Sequence, residues 1–280
     1  MQSNKQIKRR MASVATTRKI LRALNMVAAS KLQSGKNRLE NARSFFAQSE
    51  RIIKSRKYGE KLVDYAYTKE FDTNCAAYLT VTSNRGMCGS YNANLLECVR
   101  QHMQASGKNK RIATVGSKGY EHFARNGIEV EYRFDELLET AFYEDAVRIS
   151  HYLRSVFMSG EVDEIYIAYT EFQSAFLHVP TIKKIMPIDV DRSFDSDGIP
   201  MEYDPDIQLF LDHAIPAYLN TFVYLSILES IACENATRMI NMEAAVSSAS
   251  EIISDLTIKQ NRKRQAAITQ EISEIISGWQ

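Results

Sequence analysis

Apolar residues recur at alternating steps of four and three at both ends of the chain, with short β-rich runs between. From Ile7 the stepping meets Ile7, Met11, Val14, Arg18, Leu21, Asn25, Ala28, Leu32, Gly35, Leu39, Ala42, Phe46, Ser49 and Ile53, ten of them apolar. From Leu225 it meets Leu228, Ala232, Asn235, Met239, Met242, Val246, Ala249, Ile253 and Leu256, where only Asn235 is polar. A 3.5-residue repeat marks the seam of a coiled coil. Residues 1–58 hold one glycine, Gly35, and no proline, and residues 217–277 hold neither. Helices average only about 11–12 residues, so both ends are expected to be unusually long helices. Small residues on both seams allow close approach, which predicts an antiparallel pair with the middle of the chain as a large insertion. Past Leu256 the seam decays. Gln260 and Lys263 fall on it, and Ile268, Ile272, Ile275 and Trp279 follow in a shifted phase. The last turns are expected to lack a coiled-coil partner. At roughly 1.5 Å per residue, residues 217–277 extend about 90 Å, so a bare end projects into something else.

The middle alternates differently. Ala76–Thr82, Arg111–Val115, Ile128–Tyr132, Glu164–Thr170 and Thr181–Pro187 read as strands, the last an edge strand because prolines flank it. Helices are expected from about Asn92 to Ala105, from Gly116 to about Asn126, and over Ala141–Phe157. Strands alternating with helices predict a parallel sheet. The fold class is therefore α/β: two long terminal helices in an antiparallel coiled coil plus a central Rossmann-like domain. The expected division is 1–58 (N-terminal helix), 75–190 (α/β domain) and 207–278 (C-terminal helix), with Asp189–Asp206 the most linker-like stretch.

Charge changes the picture. The net charge of +1 conceals 15 Lys+Arg against 2 Asp+Glu in residues 1–57, 15 against 25 in 58–216, and 5 against 7 in 217–280. Ordinary exposed helices mix signs to gain i,i+4 pairs. An almost acid-free helix therefore suggests an acidic partner surface or nucleic acid, although no nucleic-acid module accompanies it. Cys75, Cys88, Cys98 and Cys233 form no CxxC pair and have no histidine at ligand spacing, which fits neither zinc nor a disulfide framework. No apolar run approaches the ~20 residues of a bilayer span. No apolar stretch follows the basic N-terminus as it would in a secretory signal. An Arg-rich, acid-poor start also suits a mitochondrial transit peptide, but the unbroken pattern favours a permanent helix.

The strand–turn–helix at Thr82–Asn94 is where a phosphate would sit in a Rossmann unit. Gly86 and Gly89 give GxxG rather than GxGxxG, and no GK[ST] follows. The alternative is that these glycines let strand and helix pack closely. His102, His122, His151, His178 and His213 are scattered, and no nucleophile elbow is present. The pattern implies no catalytic residue, cofactor site or metal site. A Rossmann-type enzyme with helical arms and a nucleic-acid tether stand as the rival readings.

Three segments resemble the gamma subunit of F-type ATP synthases: Ile7–Leu32 (IKRRMASVATTRKILRALNMVAASKL), Thr82–Asn94 (TSNRGMCGSYNAN), and Glu229–Gly278, with ENATRMINMEAA, ISDLTI and NRKRQAAITQEISEIISG. They follow the family's order and spacing over essentially the whole chain. The chain departs from the family at Leu24, Asn84, Ser90 and the terminal Trp279-Gln280, and it lacks the dithiol insertion of chloroplast members near residues 190–210. The resemblance implies a non-catalytic central shaft that couples ion-driven rotation of a membrane c-ring to ATP synthesis or hydrolysis in a ring of three alpha and three beta subunits. It implies rotor–stator contact at Leu24, Met26, Arg238, Arg262, Gln265, Thr269 and Glu271. Foot contact with the epsilon subunit and c-ring is implied at Lys36, Asn37, Arg38, Tyr203 and Asp204. The implied location is peripheral, on the cytoplasmic face of a bacterial plasma membrane or the matrix face of the mitochondrial inner membrane, with membrane association only through partners.

Overall fold

A computed structural model describes residues 4–53, 66–69, 71–134, 142–188 and 207–278. Helix α1 spans Asn4–Ile53 without interruption. By packing, the chain divides into two units, Met1–Ser30 with Arg238–Gln280, and Lys31–Thr237.

In the first unit the stepping pattern matches the burial. Ile7 and Ala28 are buried on α1, while Met11, Val14, Arg18, Leu21 and Asn25 are partly buried. The C-terminal helix, α5 (Ile207–Ser277), buries Met242, Ala249 and Leu256 and partly buries Met239, Val246 and Ile253. Arg18 is a polar exception on the seam. Its long stem allows it to sit there, with Nη1 donating to Ser250 Oγ on α5 at 3.3 Å.

The second unit holds the sheet. Its strands are β1 (Cys75–Val81), β2 (Asn109–Val115), β3 (Tyr132–Phe134), β4 (Glu164–Phe172) and β5 (His178–Met186). Their spatial order is β3-β2-β1-β4-β5. The β1 strand lies parallel to β2 and β4, with Leu79 opposite Ala113 and Ile167. The β5 strand is antiparallel to β4 at the edge. Three helices connect the strands: α2 (Tyr91–Ser106), α3 (Ser117–Arg125) and α4 (Tyr143–Met158). Leu95, Leu96, Val99 and Met103 of α2 join Phe123 of α3 over Tyr78, Ile112 and Ala168 of the sheet. Strands β1 and β4 are central and nearly continuous in burial, as strands covered on both faces are.

The two long helices meet this sheet through aromatic rings. Phe46 of α1 stacks on Tyr218 of α5 with centroids 5.3 Å apart, and it also meets Phe222 at 5.2 Å. Tyr169 of β4 approaches Phe222 edge-on at 6.0 Å. Lys183 of β5 places Nζ 5.3 Å from the Phe46 centroid and 5.0 Å from that of Phe222. Within this unit α1 and α5 run antiparallel, since Arg43 pairs with Glu229 while Phe46 packs on Phe222 and Tyr218.

Two strands differ from expectation. The third strand lies at Tyr132–Phe134 rather than Ile128–Tyr132, because Glu131 N first bonds Ile112 O and regular pairing with β2 begins after it. The edge strand includes Pro180, opposite Thr170. An edge position tolerates a residue without an N–H. The last helix starts at Ile207, as the expected division has it, and carries Pro216 inside it. Proline costs a helix about 3 kcal/mol, but neighbouring Leu211, Ile215 and Leu219 are buried on one face, and that burial outweighs the local penalty. One window of α5 has the length and apolarity of a bilayer span, but 67% of it is buried within the protein. This is the character of a core helix.

Candidate functional site

The turn after β1 is closed by its own side chains. Groups of this turn accept from three backbone donors at the start of the neighbouring helix α3. Asn84 Oδ1 accepts from Ser117 N at 2.9 Å, Ser83 O from Lys118 N at 3.1 Å, and Thr82 Oγ1 from Gly119 N at 2.8 Å. Asn92 at the start of α2 accepts from Ser83 N at 3.0 Å and donates to Ser83 Oγ at 2.7 Å. Gly119 is required here, since a Cβ would sit 2.9 Å from Thr82 Oγ1. Close strand–helix packing is thus the role of Gly119, whereas a Cβ on Gly86 would meet open space and Gly89 takes a positive φ of 55° in the turn. Cys88 is buried beside Asn92 Nδ2, 3.3 Å away, in the same closed turn.

The longest continuously exposed stretch of the first unit, among the described residues, is the end of α5. Beyond Lys263 every described side chain is exposed, including Ile268, Ile272 and Ile275 at 48%, 52% and 63%. Arg262, Gln265, Thr269 and Glu271 all lie on this length. At about 100° per residue, Arg262, Gln265 and Thr269 share one face, and the three isoleucines form an adjoining stripe. Glu271 lies about half a turn round from Arg262 by the same geometry. Thr269 Oγ1 donates to Gln265 O at 2.9 Å, which binds it to the helix backbone. Arg238 is partly buried at the other end of the α5 length in this unit.

On α1, Leu24 is partly buried and Met26 is exposed, about 200° apart around the axis. Their neighbours were missed by sequence reasoning. Ile20 and Val27 are 56% and 53% exposed, and with Leu24 they form a second apolar stripe at i, i+4 and i+7. The signal was available as an apolar spacing beside the seam. The second unit holds Lys36, partly buried, and Asn37 and Arg38, both exposed. Arg38 Nη2 donates to Tyr224 OH on α5 at 2.8 Å. Tyr203 and Asp204 lie outside the described residues.

A further cluster, also missed, lies where α1, α5 and β4 converge. Arg43 Nε donates to Glu229 Oε1 at 2.9 Å, and its Nη2 donates to the Phe172 carbonyl. Burial pushes the Glu229 carboxyl above its usual range against the pull of Arg43. Burial likewise raises the Cys233 thiol, whose Sγ lies 3.4 Å from Thr170 O. The sequence signal was a lone acid inside the apolar run Leu225–Cys233.

These features define a class: a helical-pair protein with an α/β insertion, whose last helix runs on with its side chains exposed. A family model described as ATP synthase matches residues 3–280. The chain is 36% identical to the ATP synthase gamma chain of Lachnoclostridium phytofermentans, covering 99% of this chain and 98% of that one. It is 33% identical to that of Brevibacillus brevis, covering 98% and 96%. Among solved structures it resembles the rotor of the Euglena gracilis mitochondrial ATP synthase, with a TM-score of 0.67 at 16% identity, covering 95% and 98%. It also resembles the central stalk and c-ring structure from Tetrahymena thermophila, with a TM-score of 0.60 at 22% identity, covering 81% and 99%. The chain belongs to the ATP synthase gamma-chain family.

Proposed function

We propose that this chain turns as the central shaft of an F-type ATP synthase and catalyses nothing itself. The observation that carries the reading is the exposed α5 end, Arg262–Ile275, in a member of the gamma-chain family. A helix that keeps three large apolar residues in water calls for a surrounding surface. In this reading a ring of three alpha and three beta subunits supplies it, and the acid-poor α1 face meets acidic segments of beta. Leu24, Met26, Arg238, Arg262, Gln265, Thr269 and Glu271 make the rotor–stator contact. Lys36, Asn37, Arg38, Tyr203 and Asp204 belong to the foot, with the epsilon subunit and the c-ring as partners. The working division is 1–58 and 207–278 for the shaft and 75–190 for the domain at its foot. The chain is peripheral on the cytoplasmic face of a bacterial plasma membrane, in keeping with its bacterial relatives.

The work follows from asymmetry. A surface with equal affinity for every conformation of its neighbours shifts no equilibrium. A shaft with basic, apolar and polar faces at different angles favours a different beta conformation in each direction. Each conformation has its own nucleotide affinity, so orientation acts as an allosteric effector. The test is expression with its own operon partners and purification on a tagged copy of this chain. A complex with three copies each of two nucleotide-binding subunits, whose ATP turnover drives rotation of a bead on this chain, is the expected result. Recovery of the chain alone, with no such subunits, would refute the reading.

A further inference from the structure

Ring contacts and hydrogen-bonded charge pairs resist different motions. Rings join the two helices at Phe46, Tyr218 and Phe222 and reach the sheet at Tyr169, while Ser230, Cys233 and Thr237 of α5 make single hydrogen-bond contacts with Thr170 and His178 of the sheet. Burying ring surface is strongly favourable but non-directional, so it opposes separation more than sliding. Arg43 is different. From α1 it reaches Glu229 Oε1 on α5, with Nε at 2.9 Å and Nη2 at 2.8 Å, and it also donates to the Phe172 carbonyl that ends β4. One side chain therefore ties three elements together.

This pair is poorly suited to adding stability. Glu229 is only 4% exposed, and its Oε2 is buried without a hydrogen-bond partner. Burial acts on its carboxyl more strongly than Arg43 does. The Arg43 side chain is 39% exposed and that of Glu229 5%, so the carboxylate bears the cost of burial; ion pairs with a buried member are often replaceable by neutral groups at little cost to stability, and their best-attested use is to fix register. The guanidinium supplies that. Its donors point in fixed, coplanar directions, so both acceptors are met in one relative placement of the three elements.

We propose that Arg43 is a register pin that holds α1 and α5 at one rotational and axial setting on the sheet, so that turning force crosses this joint without slip. The proposal rests on the rotor reading above. Its test uses the whole complex in sealed vesicles, with the native chain, Arg43→Lys, and the double variant Arg43→Met with Glu229→Gln, which leaves no unpaired charge. Three quantities are measured: the thermal midpoint of the chain, ATP hydrolysis, and ion pumping against a rising opposing gradient. The double variant is expected to keep the native midpoint and hydrolysis rate, and to pump normally without load. Its ratio of ions pumped to ATP hydrolysed should fall as the gradient rises, and Arg43→Lys, which keeps the charge but not the fork, should lie between. Native pumping under load by the double variant overturns the pin alone. A midpoint and hydrolysis rate that fall in step with pumping also overturn it, because that is the mark of a merely structural role. A native complex that hydrolyses ATP without turning this chain overturns the rotor reading and the pin with it.

Discussion

Two lengths of α5 share one helix and differ in whether anything covers their apolar positions. From Leu225 to Leu256 every position of the 3.5-residue seam is buried or partly buried; from Arg264 to Ile275 every described side chain is exposed. The helix nevertheless continues unbroken to Ser277. Burial is therefore not what keeps the second length helical. Nucleation is the costly step in helix formation, and each further turn adds its own bond to an existing template. Good helix formers such as Arg264, Gln265, Ala266, Ala267, Gln270, Glu271 and Glu274 fill this end. The covered length supplies the template, and the uncovered length spends none of its side chains on the fold. Its side chains are left for a partner.

The largest expected effect tests whether burial separates the two lengths. Phe222 is 2% exposed between Phe46, Tyr169 and the Lys183 ammonium. Phe222→Ala should destabilise the chain by about 3–5 kcal/mol. Ile272→Ala removes a side chain already in water and should stay within about 0.5 kcal/mol of native. Urea unfolding followed by circular dichroism measures both. Equal losses would mean that the exposed length is part of the cooperative fold, and the comparison would collapse.

A smaller effect sharpens the comparison inside the covered length. Most of that length is stabilised by apolar burial, but Glu229 is an acid held there with its pKa raised by burial. A carboxyl whose folded pKa lies above its unfolded value contributes stability that is present below the unfolded pKa and is lost as pH rises through the folded one. Glu229→Gln removes that loss and keeps an oxygen for Arg43. Relative to native, the variant should therefore gain stability as the pH rises from 4 toward 8. Unfolding curves across that range check the sign. A variant less stable at pH 8 than at pH 4, relative to native, would show that the ion pair stabilises the joint after all.

How much of this was legible in the sequence depended on whether neighbours or distant partners decide the outcome. The seam positions from Ile7 to Ile53 and Leu225 to Leu256 were readable because periodicity reports one helix face directly, and even the polar members Arg18, Asn25 and Ser49 are partly buried. The decay expected after Leu256 comes later in the structure, because Gln260 and Lys263 on the seam are still partly buried and full exposure begins at Arg264. The third strand was displaced because three residues of β3 are held by β2 and not by their own propensity. Helix α5 begins at Ile207, within the expected 207–278, and runs through Pro216 with Leu211, Ile215 and Leu219 buried around it. The Arg43–Glu229 contact joins residues 186 positions apart, and no local pattern announces it. The Asn84 side chain that closes the turn was noted only as a departure from family usage. That its Oδ1 caps Ser117 N needed the two loops side by side.

The smallest expected effect belongs to the last turns. Deleting Ile275–Gln280 removes an exposed isoleucine and the helix terminus, and among the described residues no side chain beyond Arg264 contributes to either unit's core. Frayed helix ends carry little of the fold's stability, so the unfolding midpoint should not move measurably. Within the rotor reading the assembled complex should still turn, because Arg262, Gln265 and Thr269 remain on their shared face. What is lost is part of the apolar stripe, so torque or hydrolysis rate should fall modestly. Deleting Arg262–Gln280 takes the charged face and the whole stripe together and should impair ATP-driven pumping far more, again with little change in the chain's own stability. The two truncations are compared in vesicles by pumping per ATP hydrolysed. If both impair it equally, the stripe and the charged face act as one surface. If the shorter deletion also lowers the unfolding midpoint, the exposed length is held by the fold in a way its exposure does not reveal.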